Sequence, residues 1–329
     1  MPHPLTSTLY PQMVLPVMSA PMFIVSGPEL VVAQCASGII GAMPALNARP
    51  QSELTKWLTQ IETELAALRQ REPNRVIAPY AINHIIHASN ERLEQDMEVC
   101  AEHKVPLIIT SLRAPNEIVE NVHAWGGKVF HDVTTLRHAR KAIDAGVDGL
   151  ILVCAGAGGH AGTLSPFALL GEVRRIFDGP IVLSGAISSG RDILAARAMG
   201  ADFAYIGTRF IASTEARAHE AYKDMLTKAQ ASDIVYTPFF TGIPGNYLRP
   251  SIVQAGLDPE KLTQPDSNAG LSSVTAPSSA LSKPWRDIWS AGQGVGSIET
   301  IQPVAQIVDT LKNEYRQAYA ALGDHFCAL

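Results

Sequence analysis

The chain has 329 residues, is 47% hydrophobic and 17% charged, and carries a formal charge of −5. Such a composition describes a well-buried globular protein, large enough for one big α/β domain or two modest ones, and excludes a disordered chain. The acidic balance and the absence of a dense Lys/Arg block exclude a general nucleic-acid binder, and no apolar stretch reaches membrane-spanning length.

Apolar, β-branched runs alternate with amphipathic ones. In chain order the pattern predicts strands at Val14–Met18, Gly38–Ala42, Val76–Ile82, Pro106–Thr110, Lys128–His131, Gly149–Val153, Ile181–Ser184 and Phe203–Ile206. Helices are predicted between them at Gln51–Leu68, Glu91–His103, Asn116–Ala124, Thr134–Ala145, Pro166–Phe177 and Arg191–Met199. The first of these puts Leu54, Leu58, Ile61, Leu65 and Leu68 on one stripe. Gly146 and Gly200 stand just past helix ends, where a left-handed cap is wanted.

Strands that alternate with helices pair in parallel, and eight such units predict a closed (β/α)8 TIM barrel. A doubly wound open sheet is the alternative. It would carry a GxGxxG loop after its first strand, and Met18-Ser19-Ala20-Pro21-Met22 lacks that fingerprint. After Ile206 the rhythm breaks. Ala216–Ala229 reads as a helix, Ser232–Leu262 is rich in turn residues, and Asp266–Lys283 reads as extended loop. The expected division is a barrel over 1–215, a small inserted lid-like subdomain over 216–283, and a C-terminal segment over 284–329. A final helix, Thr300 to Ala321, is expected to pack back on the barrel.

Cys35, Cys100, Cys154 and Cys327 are far apart and form no CxxC pair, so neither a disulfide framework nor a metal site is expected. Cys154 reads as a small buried residue at a strand end. Residues 1–10 show no basic region followed by an apolar core, and a cytoplasmic location is the default expectation.

The most informative segment is Ala155-Gly156-Ala157-Gly158-Gly159-His160-Ala161-Gly162-Thr163, directly after the sixth strand. Its glycines let backbone amides approach a ligand, and His160 is its only titratable side chain. A flexible turn with a surface histidine is the plain alternative. In such barrels the site lies at the C-terminal strand ends. Those ends carry Ser19 to Met22, Asn83 with His84, Ser111, His131 with Asp132, the glycine run, Ser184-Gly185-Ala186 and Gly207-Thr208-Arg209. The last two turns match the habitual phosphate site after strands seven and eight. No acidic cluster suggests a metal, and no dinucleotide fingerprint suggests a nicotinamide, so FMN is the expected cofactor.

The stretch from Gly156 to Phe210, "GAGGHAGTLSPFALL…PIVLSGAISSGRDILAARAMGADFAYIGTRF", resembles the nitronate monooxygenase (2-nitropropane dioxygenase) family. "PVMSAPM" at Pro16–Met22 and "IWSAGQGVGSI" at Ile288–Ile298 extend the likeness over most of the chain. The wider superfamily also holds FMN-dependent enoyl-ACP reductases and NADH:quinone reductases.

The resemblance implies FMN lying along Ala20, Pro21 and Met22, with Asn83 near its ring and Gly158 and Gly159 flanking it. Ser184, Gly185, Ala186, Gly207 and Thr208 would hold the phosphate, and His160 would be catalytic. His131 and Gln293 are further candidates for flavin or substrate contact. The implied reaction is oxidation of an anionic alkyl nitronate by dioxygen to a carbonyl compound and nitrite. The runner-up is an NAD(P)H-dependent FMN reductase acting on a quinone or an enoyl thioester; a flavin-binding protein without turnover is the third reading. One position departs from the reductase-type relatives: they carry Lys directly after the fifth-strand histidine, and here it is Asp132.

Overall fold

A computed structural model describes residues 3–262 and 287–326. The strands are β1 Val17–Ser19, β2 Gly41–Pro44, β3 Tyr80–Ile86, β4 Leu107–Leu112, β5 Lys128–Val133, β6 Gly149–Val153, a two-residue β7 at Gly159–His160, β8 Ile181–Ser184 and β9 Phe203–Ile206. All but β7 form one parallel sheet in the order β1-β9-β8-β6-β5-β4-β3-β2. Its two edges meet through Ile40, whose N–H donates to Val17 O at 3.0 Å and whose carbonyl accepts from Ser19 N–H at 2.8 Å. The result is a near-closed (β/α)8 barrel flanked by helices.

Parallel neighbours need crossovers, and helices supply them, among them Glu53–Arg71 between β2 and β3 and Gly190–Ala198 between β8 and β9. Leu54, Leu58, Ile61, Leu65 and Leu68 are all buried, so the stripe read from spacing is the face that meets the sheet. The C-terminal helix Val304–Phe326 packs against Gly190–Ala198. There the backbones meet without a side chain between them: a Cβ on Gly190 would lie 2.1 Å from Leu311 O.

Three strands begin three or more residues later than the periodicity predicts, at 17, 41 and 80 rather than 14, 38 and 76. Gly38 turns at φ +78°. Pro79 has no N–H to give to a ladder. Leu15, Ile39 and Ile77 are buried even so, beneath the ladder rather than in it. The helix expected at 216–229 is confined to Glu220–Leu226, and the last one starts after Pro303.

The alternation within each strand decides what faces the barrel interior. Ala81, Ile109, Phe130, Ile151, Val182 and Phe203 form the apolar plug inside, whereas Ile82, Ile108, Val129 and Val133 belong to the layer between sheet and helices. By that parity Asn83, Ser111 and Asp132 point inward above the plug, and His84, Thr110 and His131 point outward.

The segment after β9 adds β10 Ile234–Thr237 and β11 Gly245–Leu248, an antiparallel pair. β11 also pairs with β7, placing Gly245 opposite His160 and Asn246 opposite Gly159. Trp289 is buried and stacks on Tyr222 with centroids 5.0 Å apart. The loop expected at Asp266–Lys283 lies outside the described residues, as does Cys327. Among the described residues no helix is long and apolar enough to cross a membrane.

Candidate active site

A cavity of about 630 Å³ opens at the C-terminal ends of the barrel strands, a volume within the range of small-molecule and cofactor sites. Ala20, Pro21, Met22, Asn83, Gly158, Gly159, His160, Ser184, Gly185, Ala186, Gly207 and Thr208 all line it. His131 and Gln293 are not themselves among the lining residues. His131 is buried in the outer layer, its Nδ1 2.8 Å from Thr110 Oγ1. Gln293 is exposed, and its backbone N–H donates to Gly156 O at 2.9 Å.

His160 is held by neighbours far away in sequence. β11 pairs with its strand, Asn246 Nδ2 donates to Ala157 O at 2.6 Å, and Tyr236 O–H donates to Ala161 O at 2.9 Å. Nε2 of His160 lies 2.9 Å from Thr241 Oγ1, which itself donates to Ile243 O at 3.1 Å. A hydroxyl has one hydrogen, and in the tautomer that lets Thr241 keep that bond, Nε2–H donates to Oγ1 and the lone pair is on Nδ1. Burial pushes the imidazole down to about 4. At neutral pH this is an uncharged base.

The phosphate-type turns differ from each other. After β8 the chain kinks through Gly185 at φ +136° and Ala186 at φ +55°. The next amides are already used: Asp192 Oδ2 accepts from Ser188 N–H at 2.9 Å and Ser189 N–H at 2.8 Å, in the capping box that starts the helix. After β9 the helix Thr208–Ile211 begins at once; Phe210 N–H donates to Gly207 O at 2.8 Å, while the amides of Thr208 and Arg209 have no intrahelical carbonyl to bond. Thr208 Oγ1 accepts from Gly292 N–H at 2.9 Å. That bond ties Gly292, in the Ser290–Gln293 segment, to the turn and leaves the hydroxyl hydrogen for a ligand.

The opposite wall is made of side chains. Asn83 Nδ2 donates to Ser111 Oγ at 2.9 Å, and Ser111 Oγ donates to Asp132 Oδ2 at 2.6 Å. Burial pushes the Asp132 carboxyl up to about 7, against a weaker downward pull from Ser111. Tyr205, two residues before Gly207, also lines the cavity. Inward parity on β9 would have revealed it. Cys154 is buried and its thiol is pushed up to about 12, so it is an inert packing residue.

A model of the nitronate monooxygenase family matches residues 7–314. The chain belongs to that family. It thereby joins an FMN-dependent TIM-barrel superfamily of oxidoreductases. A Mycobacterium tuberculosis protein, Rv1533, is 32% identical over 166 residues, which is 50% of this chain and 44% of that protein. The nitronate monooxygenase of Paraburkholderia phytofirmans is 26% identical across 93% of this chain and 94% of its own length. Among solved structures, FabK from Thermotoga maritima is similar with a TM-score of 0.81 and 26% identity, covering 98% of both chains.

For a nitronate monooxygenase family member, the division of labour in this cavity is clear. The "GAGGHAG" and "GTRF" motifs build the glycine wall and the second turn, while β3, β4 and β5 supply polar side chains from outside any motif.

Proposed function

We propose that this chain oxidises anionic alkyl nitronates with dioxygen, through bound FMN, to a carbonyl compound and nitrite. The observation that carries the reading is His160: an uncharged imidazole, fixed by strand pairing on the wall of a barrel-mouth cavity.

The residues present suit FMN. One end of the cavity offers Gly207, first-turn amides and the Thr208 hydroxyl for a phosphate. The Ala20-Pro21-Met22 segment offers an apolar plate, and the far wall holds a buried carboxyl oxygen of Asp132 without a partner. FMN would supply the electron-accepting ring and its reactivity toward dioxygen.

The chain's own part is binding and proton handling. The glycine wall admits a flat ring system close to the backbone. Nδ1 of His160 can take a proton from carbon when a neutral nitroalkane is offered. For a nitronate, already anionic, no proton need move.

The full-length likeness to FabK supports a second reading, an NAD(P)H-dependent FMN reductase acting on a quinone or an enoyl thioester. Anaerobic mixing of the FMN-loaded protein with propionate 3-nitronate, and separately with NADH or NADPH, decides between the two. The expected result is a change in flavin absorbance with the nitronate, nitrite release once air is admitted, and no response to either nicotinamide. Rapid bleaching by NAD(P)H alone moves the assignment to the reductase. A protein that retains no flavin refutes the cofactor assignment.

A further inference from the structure

One hydrogen-bonded chain crosses three strands of the cavity wall and ends abruptly. Asn83 Nδ2 donates to Ser111 Oγ, and Ser111 spends its single hydrogen on Asp132 Oδ2. Oδ1 of Asp132 is buried and has no hydrogen-bond partner among the described residues. A bare carboxylate oxygen out of water is costly, whereas a neutral carboxyl can carry its hydrogen there. Since Oδ2 already accepts from Ser111, the proton belongs on Oδ1. The wiring turns this acid into a donor.

Across the barrel, Tyr205 on β9 repeats the pattern: its hydroxyl is buried and unpartnered among the described residues. Tyr205 and Asp132 line the same cavity, and burial first, then the Asp132 charge, raises the tyrosine above its ordinary value. Buried polar groups in folded proteins are satisfied as a rule. Two orphans on facing strands of one cavity therefore point to a ligand that completes both.

We infer that Asp132 is a binding residue of this site, a carboxyl that keeps its proton on Oδ1 and donates it in a hydrogen bond to an acceptor atom of the bound ring system. Ser111 and Asn83 are its positioning residues. The inference rests on the FMN reading of the cavity. It also accounts for an acid at the strand end: a neutral carboxyl adds a donor without adding negative charge beside an electron-accepting ring.

The surrounding charges agree. Burial holds the acid near neutrality, up to about 7. His160 and His138, the histidines on the same cavity wall, are both held below their ordinary value by burial, so neither offers a cation that would favour an ionised Asp132. Among the described residues that line the cavity, none is Lys or Arg. If only the protonated acid donates, ligand binding raises its pKa. By linkage, affinity for FMN then falls as pH rises above about 7, by up to roughly tenfold per unit.

The test compares FMN affinity from pH 6.5 to 8.5, by quenching of flavin fluorescence, in wild type and Asp132→Asn. The amide keeps a donor and cannot titrate. The second ionisation of the FMN phosphate, near pH 6, affects both proteins alike. Wild type is expected to lose at least tenfold in affinity over this range and the variant to stay within about twofold. A carbon-13 titration of the wild-type carboxyls reads the same proton without any variant: one aspartate should titrate near 7 alone and at least about 1.5 units higher with FMN, the rise that a tenfold loss over this range requires.

Wild-type binding that ignores pH, or the same slope in Asp132→Asn, overturns the inference while leaving the FMN reading intact. If neither protein binds FMN at any pH, both readings fall together.

Discussion

The two walls of the cavity are built from different materials. Around β8 and β9 the ligand meets mostly backbone, Gly185, Ala186 and Gly207 in turns, joined by the hydroxyls of Ser184, Ser188, Tyr205 and Thr208. Around β3 to β5 it meets side chains, chained through Asn83, Ser111 and Asp132. Backbone amides keep their charge state at every pH, so the first wall suits a group that must simply be held, such as a phosphate. Carboxyls titrate, so the second wall suits the part of a ligand whose protonation or charge changes. The cavity thus separates holding from responding, and substitutions should reveal the split.

The largest effect belongs to the backbone wall. Gly185 sits at φ +136°, and a Cβ there would lie 2.7 Å from Ala155 O. Gly185→Val should weaken FMN binding by more than about 100-fold and lower Tm, because neither the carbonyl nor the turn can move cheaply. A calorimetric titration checks it; binding within a few-fold of wild type would break the comparison.

His160→Ala should lower turnover of a neutral nitroalkane by roughly 10²–10⁴ while the purified protein keeps its flavin absorbance. Because the imidazole is pushed down to about 4, base function is lost only as pH falls through that value. The acid limb of kcat/KM for a nitroalkane should therefore be flat between pH 5.5 and 7. A limb near 6.5 would mean that another group is the base.

Stability separates the walls next. The folded pKa of Asp132 lies near 7, above the ordinary carboxylate value of about 4. The native state keeps a proton that the unfolded state has lost, so this group's contribution to stability declines as pH rises from about 4 to 7 and stays low beyond. Asp132→Asn should raise Tm by a few degrees at pH 8 and leave it nearly unchanged at pH 4. Equal shifts at both would contradict a buried titrating acid.

Smallest is Thr208→Val, which removes both the tether to Gly292 N–H and the hydroxyl hydrogen. FMN affinity should fall about tenfold, the size of one lost hydrogen bond. No change would show that the turn holds its ligand through amides alone.

Much of this molecule is legible in its sequence. The barrel follows from the alternation of apolar runs with amphipathic ones, and Gly149–Val153, Ile181–Ser184 and Phe203–Ile206 begin and end where the pattern predicts. The glycine run and both turns come together because the fold brings strand ends to one face. What stayed hidden was parity. A strand buried on both faces reads as apolar throughout, so nothing in "KVFHDV" says that Phe130 and Asp132 face inward and His131 outward. Long-range partners were equally hidden: Thr241 and Asn246, which hold the His160 loop, sit 81 and 89 residues from the groups they bond. The capping box at Ser189 could have been read from its Asp192, three residues on, and with it the loss of two amides from the first turn.

The pairing of β7 with β11 has a consequence for how this enzyme could be varied. The histidine is registered against a hairpin from a distant part of the chain, and that same segment lines the cavity through Tyr236, Ile243 and Pro244. On the proposed reading of His160 as the base, chemistry and selectivity are inherited as one unit. Exchanging residues 234–248 for those of a relative would change what fits and shift the base in the same step, whereas the barrel beneath would register neither change.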